Sequence, residues 1–134
     1  QIIKSRQQTQ GVSYLGSFTI PFERFSYVLK VHCSEHGTTG IRESIVLDQL
    51  LHSGEIEFDK ESETMKGWTR DPYDATITGP FVKNRSESKA YDKHFPDHPL
   101  SRLRKLMKRF QNSLKLSNSV KQKPRFSFQK QKTG

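Results

Sequence analysis

Apolar and polar positions alternate most cleanly over residues 25–33. Phe25, Tyr27, Leu29, Val31 and Cys33 fall on one side, and Ser26, Val28, Lys30 and His32 on the other. A period of two with one apolar face predicts a strand covered from one side. Upstream, Ser17-Phe18-Thr19-Ile20 reads as a shorter extended piece that Pro21 ends or bends. The period changes after the turn residues 35–40. Ile41, Ile45, Leu47, Leu50 and Leu51 recur at helical spacing, which predicts a helix over 41–52. Thr38 or Thr39 is its expected cap, and Gly54 its left-handed stop. Residues 55–59 alternate as a short strand with a wet outer face. No period governs residues 60–80, which hold Trp68, the turn-prone Asp71-Pro72-Tyr73-Asp74, strand character at 75–78 and a Gly79-Pro80 stop. Phe81-Val82 opens a further short strand before polar residues 84–89.

The most legible element comes last. Leu100, Leu103, Met107, Phe110 and Leu114 follow one another at spacings of three, four, three and four. Pro99 sits where a first helical turn tolerates it, so an amphipathic helix is expected over 98–116. The strands and helices together predict an α+β fold: a small, mostly antiparallel sheet with two main helices packed on one side. Flexible polar termini complete it, as a lead-in over 1–11 and a basic disordered tail over 117–134 around a single domain at 12–116.

Composition narrows the class. Hydrophobic residues make up 31% of the 134 positions, enough for a core over part of the chain only. No run approaches the length of a membrane-spanning helix. One cysteine excludes an internal disulfide and an all-cysteine zinc site, but it does not fix the compartment. A cytoplasmic location ranks first, with the cell envelope open if a signal was removed upstream of Gln1.

The charge is uneven. Residues 99–134 hold eleven of the 23 basic residues and none of the 14 acidic ones, so a body of net −2 carries a basic C-terminal third. That asymmetry predicts an acidic partner, either an acidic protein or an anionic surface, with nucleic acid also compatible. The residues expected to make the contact are Arg102, Arg104, Lys105, Lys108, Arg109 and Lys115 on the long helix. Trp68 and Tyr73 are expected either to line a pocket or, for Trp68, to plug the end of the sheet.

Candidate chemistry is sparse. His32, Cys33, His36, His94 and His98 contain a Cys-x-x-His pair with two later histidines, a weak zinc pattern because Pro96 separates the later two. Cys33 lies on the apolar side of its strand and His32 on the other, which argues against a Cys–His nucleophile. Asp74 followed by Glu87-Ser88-Lys89 matches the order of a metal-dependent nuclease, although the polar 84–89 stretch makes a poor strand. Pro96-x-x-Pro99 could dock in an aromatic groove, but the helix start accounts for it. The sequence therefore predicts a non-enzymatic binding or adaptor domain without cofactor or bound metal. The nuclease built on Asp74, Glu87 and Lys89 is the alternative.

Overall fold

The computed structural model describes residues 1–8, 10–69, 71, 74, 76–77 and 82–127. Its sheet is an antiparallel meander of β1 (Ile2–Arg6), β2 (Val12–Pro21) and β3 (Ser26–Ser34), in that spatial order. α1 (Ile41–His52) follows, then a hairpin of β4 (Glu57–Asp59) and β5 (Thr64–Lys66). Two single-turn 3₁₀ helices, Arg85–Glu87 and Lys89–Tyr91, lead to α2 (Pro99–Ser113) and a last turn α3 (Asn118–Lys121). The architecture is α+β, with two main helices and a mostly antiparallel sheet.

The alternation read at 25–33 is the face that α2 covers. The register sets Tyr14 beside Cys33, Gly16 beside Val31 and Phe18 beside Leu29. Tyr14 and Cys33 close a core with Leu100 and Leu103, against which Val12, Val31, Leu106 and Met107 pack. Each large apolar side chain so buried stabilises the fold by about 1.5–3 kcal/mol. The opposite sheet face is mixed: Ser5, Thr19, Lys30 and His32 share it with Leu15 and with Ile3 and Val28, both exposed. α2 can come close only because Gly16 lies beneath it. A Cβ there would stand 3.1 Å from both Leu103 Cδ1 and Met107 Sδ.

A second cluster joins Val46, Leu50 and Ile56 to Leu47, Leu51, Trp68, Tyr91 and Phe95. Here the sequence reading of α1 is corrected. Its boundaries stand, but Ile41 and Ile45 are 47% and 43% exposed, and the buried row is Arg42, Val46 and Leu50. The helix is rotated by about one residue, 100°. Arg42 explains why. Its Nε donates to Ser86 O at 2.8 Å, one terminal nitrogen donates to Ser101 Oγ at 2.8 Å, and the other donates to Ser88 O and Asp92 Oδ1. Asp92 also accepts from Arg104, whose second nitrogen donates to Glu87 O. A buried guanidinium is tolerated when its N–H groups are satisfied in this way.

Other differences concern caps and ends. Gly40, in the left-handed region, begins α1 in place of Thr38 or Thr39. β1 occupies part of the expected lead-in, because pairing with β2 satisfies its backbone. α2 ends at Ser113, short of the expected 116. Beyond Ser117, α3 forms and Arg125 bridges Phe22 with its guanidinium 5.4 Å from that ring, so this part of the expected disordered tail has structure. β5 occupies part of the stretch in which no period was legible. The strand character at 75–78, Tyr73, the Gly79-Pro80 stop and Phe81 lie wholly or partly outside the described residues.

Arg42→Met should therefore lower stability by about 3–5 kcal/mol, since it takes the donor from the Ser86 and Ser88 carbonyls and leaves Asp92 with only one of its two arginines. Ser101→Ala, which removes one of the four bonds, should cost about 1 kcal/mol. Chemical denaturation of the two variants checks the contrast, and near-equal losses would show that the guanidinium is not the anchor.

Candidate functional site

Two polar features adjoin the Arg42 network. The first is buried, beneath the start of α2. Gly11 turns the chain at φ 86°, where a Cβ would meet Glu35 Oε2 at 2.9 Å and Thr39 Cγ2 at 2.7 Å. That close approach lets the Glu35 carboxylate accept from Val12 N at 2.9 Å and Gly40 N at 3.1 Å, tying β2 to the start of α1. His98 Nε2 stands 3.7 Å from Glu35 Oε1, and the two side chains are 8% and 7% exposed. The Tyr14 ring meets His98 edge-on at 5.8 Å. Glu43 completes the group, and one ligand atom each from Glu35, Glu43 and His98 lie within 4.8 Å of one another. The Tyr14 hydroxyl, Glu43 Oε2 and His98 Nε2 are buried without a hydrogen-bond partner among the described residues.

Spacing alone would make this a three-ligand cation site, but the histidine decides otherwise. His98 caps α2 by accepting Leu100 N–H at Nδ1, 3.2 Å away. That lone pair is committed, so the ring proton of neutral His98 resides on Nε2. A nitrogen carrying its proton is a donor facing a carboxylate, not a metal ligand. The cluster is a proton-bearing group, and its ionisation follows from burial. Burial, then the Arg42 charge, lowers the His98 pKa to about 4 against the pull of Glu35 and Asp92. Burial also raises Glu43, with Glu35 and Glu87 adding to the effect. It raises the Tyr14 phenol as well, again assisted by Glu87, Glu43 and Glu35.

The remaining candidates for chemistry disperse. His36, His94 and His98 line a cavity of about 380 Å³ beside Arg102 and Asp97, whereas Cys33 is buried in the sheet core. His32, one residue from Cys33, is exposed on the other face. Glu87 is buried and held by Lys4 and by the Asn84 N–H, in a 3₁₀ turn where a nuclease triplet would want a strand. Asp74 is exposed and accepts from Thr76, whose bonds hold its carboxyl below the usual range.

The second feature is open. A groove of about 980 Å³ runs between α2, the 3₁₀ segment and the start of β1, and Lys89, Lys93, Lys105 and Lys108 line it together with Ile2, Phe18 and Met107. All four lysines are exposed, and none has a carboxylate partner among the described residues. Asp92 also lines the groove, but Arg42, Arg104 and the Ser101 hydroxyl surround its Oδ1. Lys105 and Lys108 were expected at a site, and the structure brings Lys89 and Lys93 to them from a segment the charge count had overlooked. Their spacing of four was the available signal. Arg104 lines the groove as well, with its guanidinium bonded to Asp92 Oδ1 and Glu87 O. Arg102 and Arg109 are exposed on α2 outside this groove, and Lys115 lines a different one. Trp68 packs half-buried on the α1 cluster, while Tyr73 lies outside the described residues.

The sign of the pH dependence follows from His98. Its folded pKa lies below the ordinary histidine value of 6.5, so its contribution is complete above pH 6.5 and is lost as the pH falls towards 4. Glu43, raised in the fold, acts in the opposite sense and offsets part of that loss. His98→Asn keeps a good capping side chain and removes the titration. The melting temperature of the parent should fall more steeply between pH 6.5 and 4 than that of H98N. Parallel curves would mean that His98 is not held neutral. No protein-family model, curated protein or solved structure matches the chain.

Proposed function

We propose that this protein is a non-enzymatic binding domain that holds an acidic macromolecular surface against the lysine groove of α2. The observation that supports this reading is how the carboxylates are used. Near the groove, Asp92 is neutralised by Arg42 and Arg104, and Glu87 by Lys4. The four groove lysines keep their charge unpaired at the surface, and α2 itself contains no acidic residue. Exposed like charges repel one another at some cost in stability, and an anionic partner relieves that repulsion. Phosphate or carboxylate groups spaced along a chain or a surface are the ligands such a groove suits, because point-charge lysines recognise charge without demanding one geometry.

The test uses a short DNA duplex solely as a polyanion of known charge spacing. Affinity should fall steeply with salt. Replacing Lys89, Lys93, Lys105 and Lys108 together by Gln should flatten the slope of log K against log salt by about 3 to 4, at about 0.9 per phosphate contact. An unchanged slope in that variant would sink the groove as the binding surface, and salt-insensitive binding by the parent would sink the electrostatic reading altogether.

A further inference from the structure

The lysine groove leaves half of the apolar stripe of α2 without a role. Leu100 and Leu103 are buried, yet Phe110 and Leu114, further along the same stripe, are 41% and 47% exposed. Opposite them the sheet row under α2 continues from Gly16 and Val31 outward to Phe18 and Leu29, then Ile20 and Tyr27. Between helix and sheet lies a groove of about 540 Å³, lined by Phe18, Ile20, Tyr27, Leu29, Phe110 and Leu114. The hairpin tip beside it is aromatic. Phe25 is 40% exposed and stacks on Phe22 at 4.8 Å, with Tyr27 edge-on to it. A contiguous apolar patch at the end of a small domain marks an interaction surface.

The charges beside the patch say what covers it. Arg24, Arg109, Lys115, Lys121 and Lys123 are all exposed in the segments that build this end. Residues 18–30 and 108–126 contain one acidic residue, Glu23. The ligand must therefore be anionic and apolar together. A nucleic-acid duplex offers the phosphates but keeps its base faces stacked on one another, and the aliphatic Leu114, Ile20 and Leu29 of the groove are no stacking platform for unpaired bases. A single acidic helix would satisfy cations along its own flanks, whereas here they come from the hairpin, from α2 and from the chain beyond it.

We propose that this end of the molecule docks on the headgroup region of an anionic phospholipid bilayer. This rests on the reading of the basic region as a surface for acidic partners and names one of them. Phe25, Tyr27, Phe110 and Leu114 enter the boundary between headgroups and acyl chains, where aromatic rings are favoured. The surrounding cations meet the lipid phosphates, with the lysine groove adding charge along α2.

Sedimentation of the full chain with phosphatidylcholine vesicles, with and without phosphatidylserine, tests this. The parent should bind only the vesicles containing phosphatidylserine. A variant carrying Tyr27→Ser, Phe110→Ser and Leu114→Ser should keep the parent's affinity for the DNA duplex and lose about tenfold or more for the vesicles. Phe110→Trp supplies an independent readout, and its emission should shift to the blue on adding the anionic vesicles. If the parent binds duplex but not vesicles, the bilayer falls while the lysine groove stands. If it binds neither, both fall. An unshifted tryptophan, or a serine variant that binds vesicles like the parent, overturns the docking face. So does a concentration-dependent dimer that the serine variant abolishes, because the cover would then be a second copy of the chain.

Discussion

One buried guanidinium sets the geometry of the rest. The Arg42 side chain is fully enclosed and reaches the carbonyls of Ser86 and Ser88, the Ser101 hydroxyl and the Asp92 carboxylate, with the Phe95 ring 5.8 Å from it. Removing such a cation from water costs several kcal/mol unless its N–H groups are satisfied. Every element that supplies an acceptor is therefore held in place around it. This fixes the rotation of α1, the depth of the 3₁₀ segment and the first turn of α2 at once. It also explains how the polar residues Ser86 and Glu87 can be buried. Their carbonyls accept from Arg42 and Arg104, and the Glu87 carboxylate accepts from Lys4.

That use of charge shapes the surface as well. Three carboxylates near α2 are absorbed by the fold. Glu35 closes on two backbone N–H groups, Asp92 on two arginines, and Glu87 on Lys4. Asp59 and Glu55 pair with Lys66 and Arg85 at the surface, where such pairs add little. Because residues 99–134 contain no acid, the surplus of +9 emerges on the outer faces of α2 and beyond. The groove lysines are thus what remains after the interior has taken its share, and a local positive potential follows without any dedicated binding loop.

The sequence made the periodic elements legible. The alternation at 25–33 identified the face that meets α2, and the spacing from Leu100 to Leu114 identified the helix that covers it. Where reading failed, a polar side chain had been put to structural use. Ile41 and Ile45 look like a buried stripe because apolar spacing is the only signal a single helix offers. Nothing local reveals that Arg42 finds four acceptors on segments 44 to 59 residues away. Arg104 lines the groove, and nothing local reveals that its guanidinium is also bonded to Asp92 and to the Glu87 carbonyl. Lys89 and Lys93 went unnoticed because their weight appears only when the 3₁₀ segment folds against α2.

The division of the α2 stripe follows from the sheet beneath it. Under the first turns of the helix the row facing α2 contains Gly16, which has no side chain and leaves Leu103 and Met107 lying almost on the backbone. Two residues on, the same row presents Phe18, and then Ile20, each paired with another bulky residue, Leu29 or Tyr27. A helix seated at glycine distance cannot keep that distance over a phenylalanine without displacing it, so close packing stops near Met107. Phe110 and Leu114 remain on the same helical face as Leu100 and Leu103, because the spacing that buries one half of the stripe carries the other half past the end of the core. The exposed apolar end is therefore not a failure of patterning. It follows from placing one glycine and two large side chains along a single strand row, and it puts the unused half of the stripe beside the most basic part of the chain.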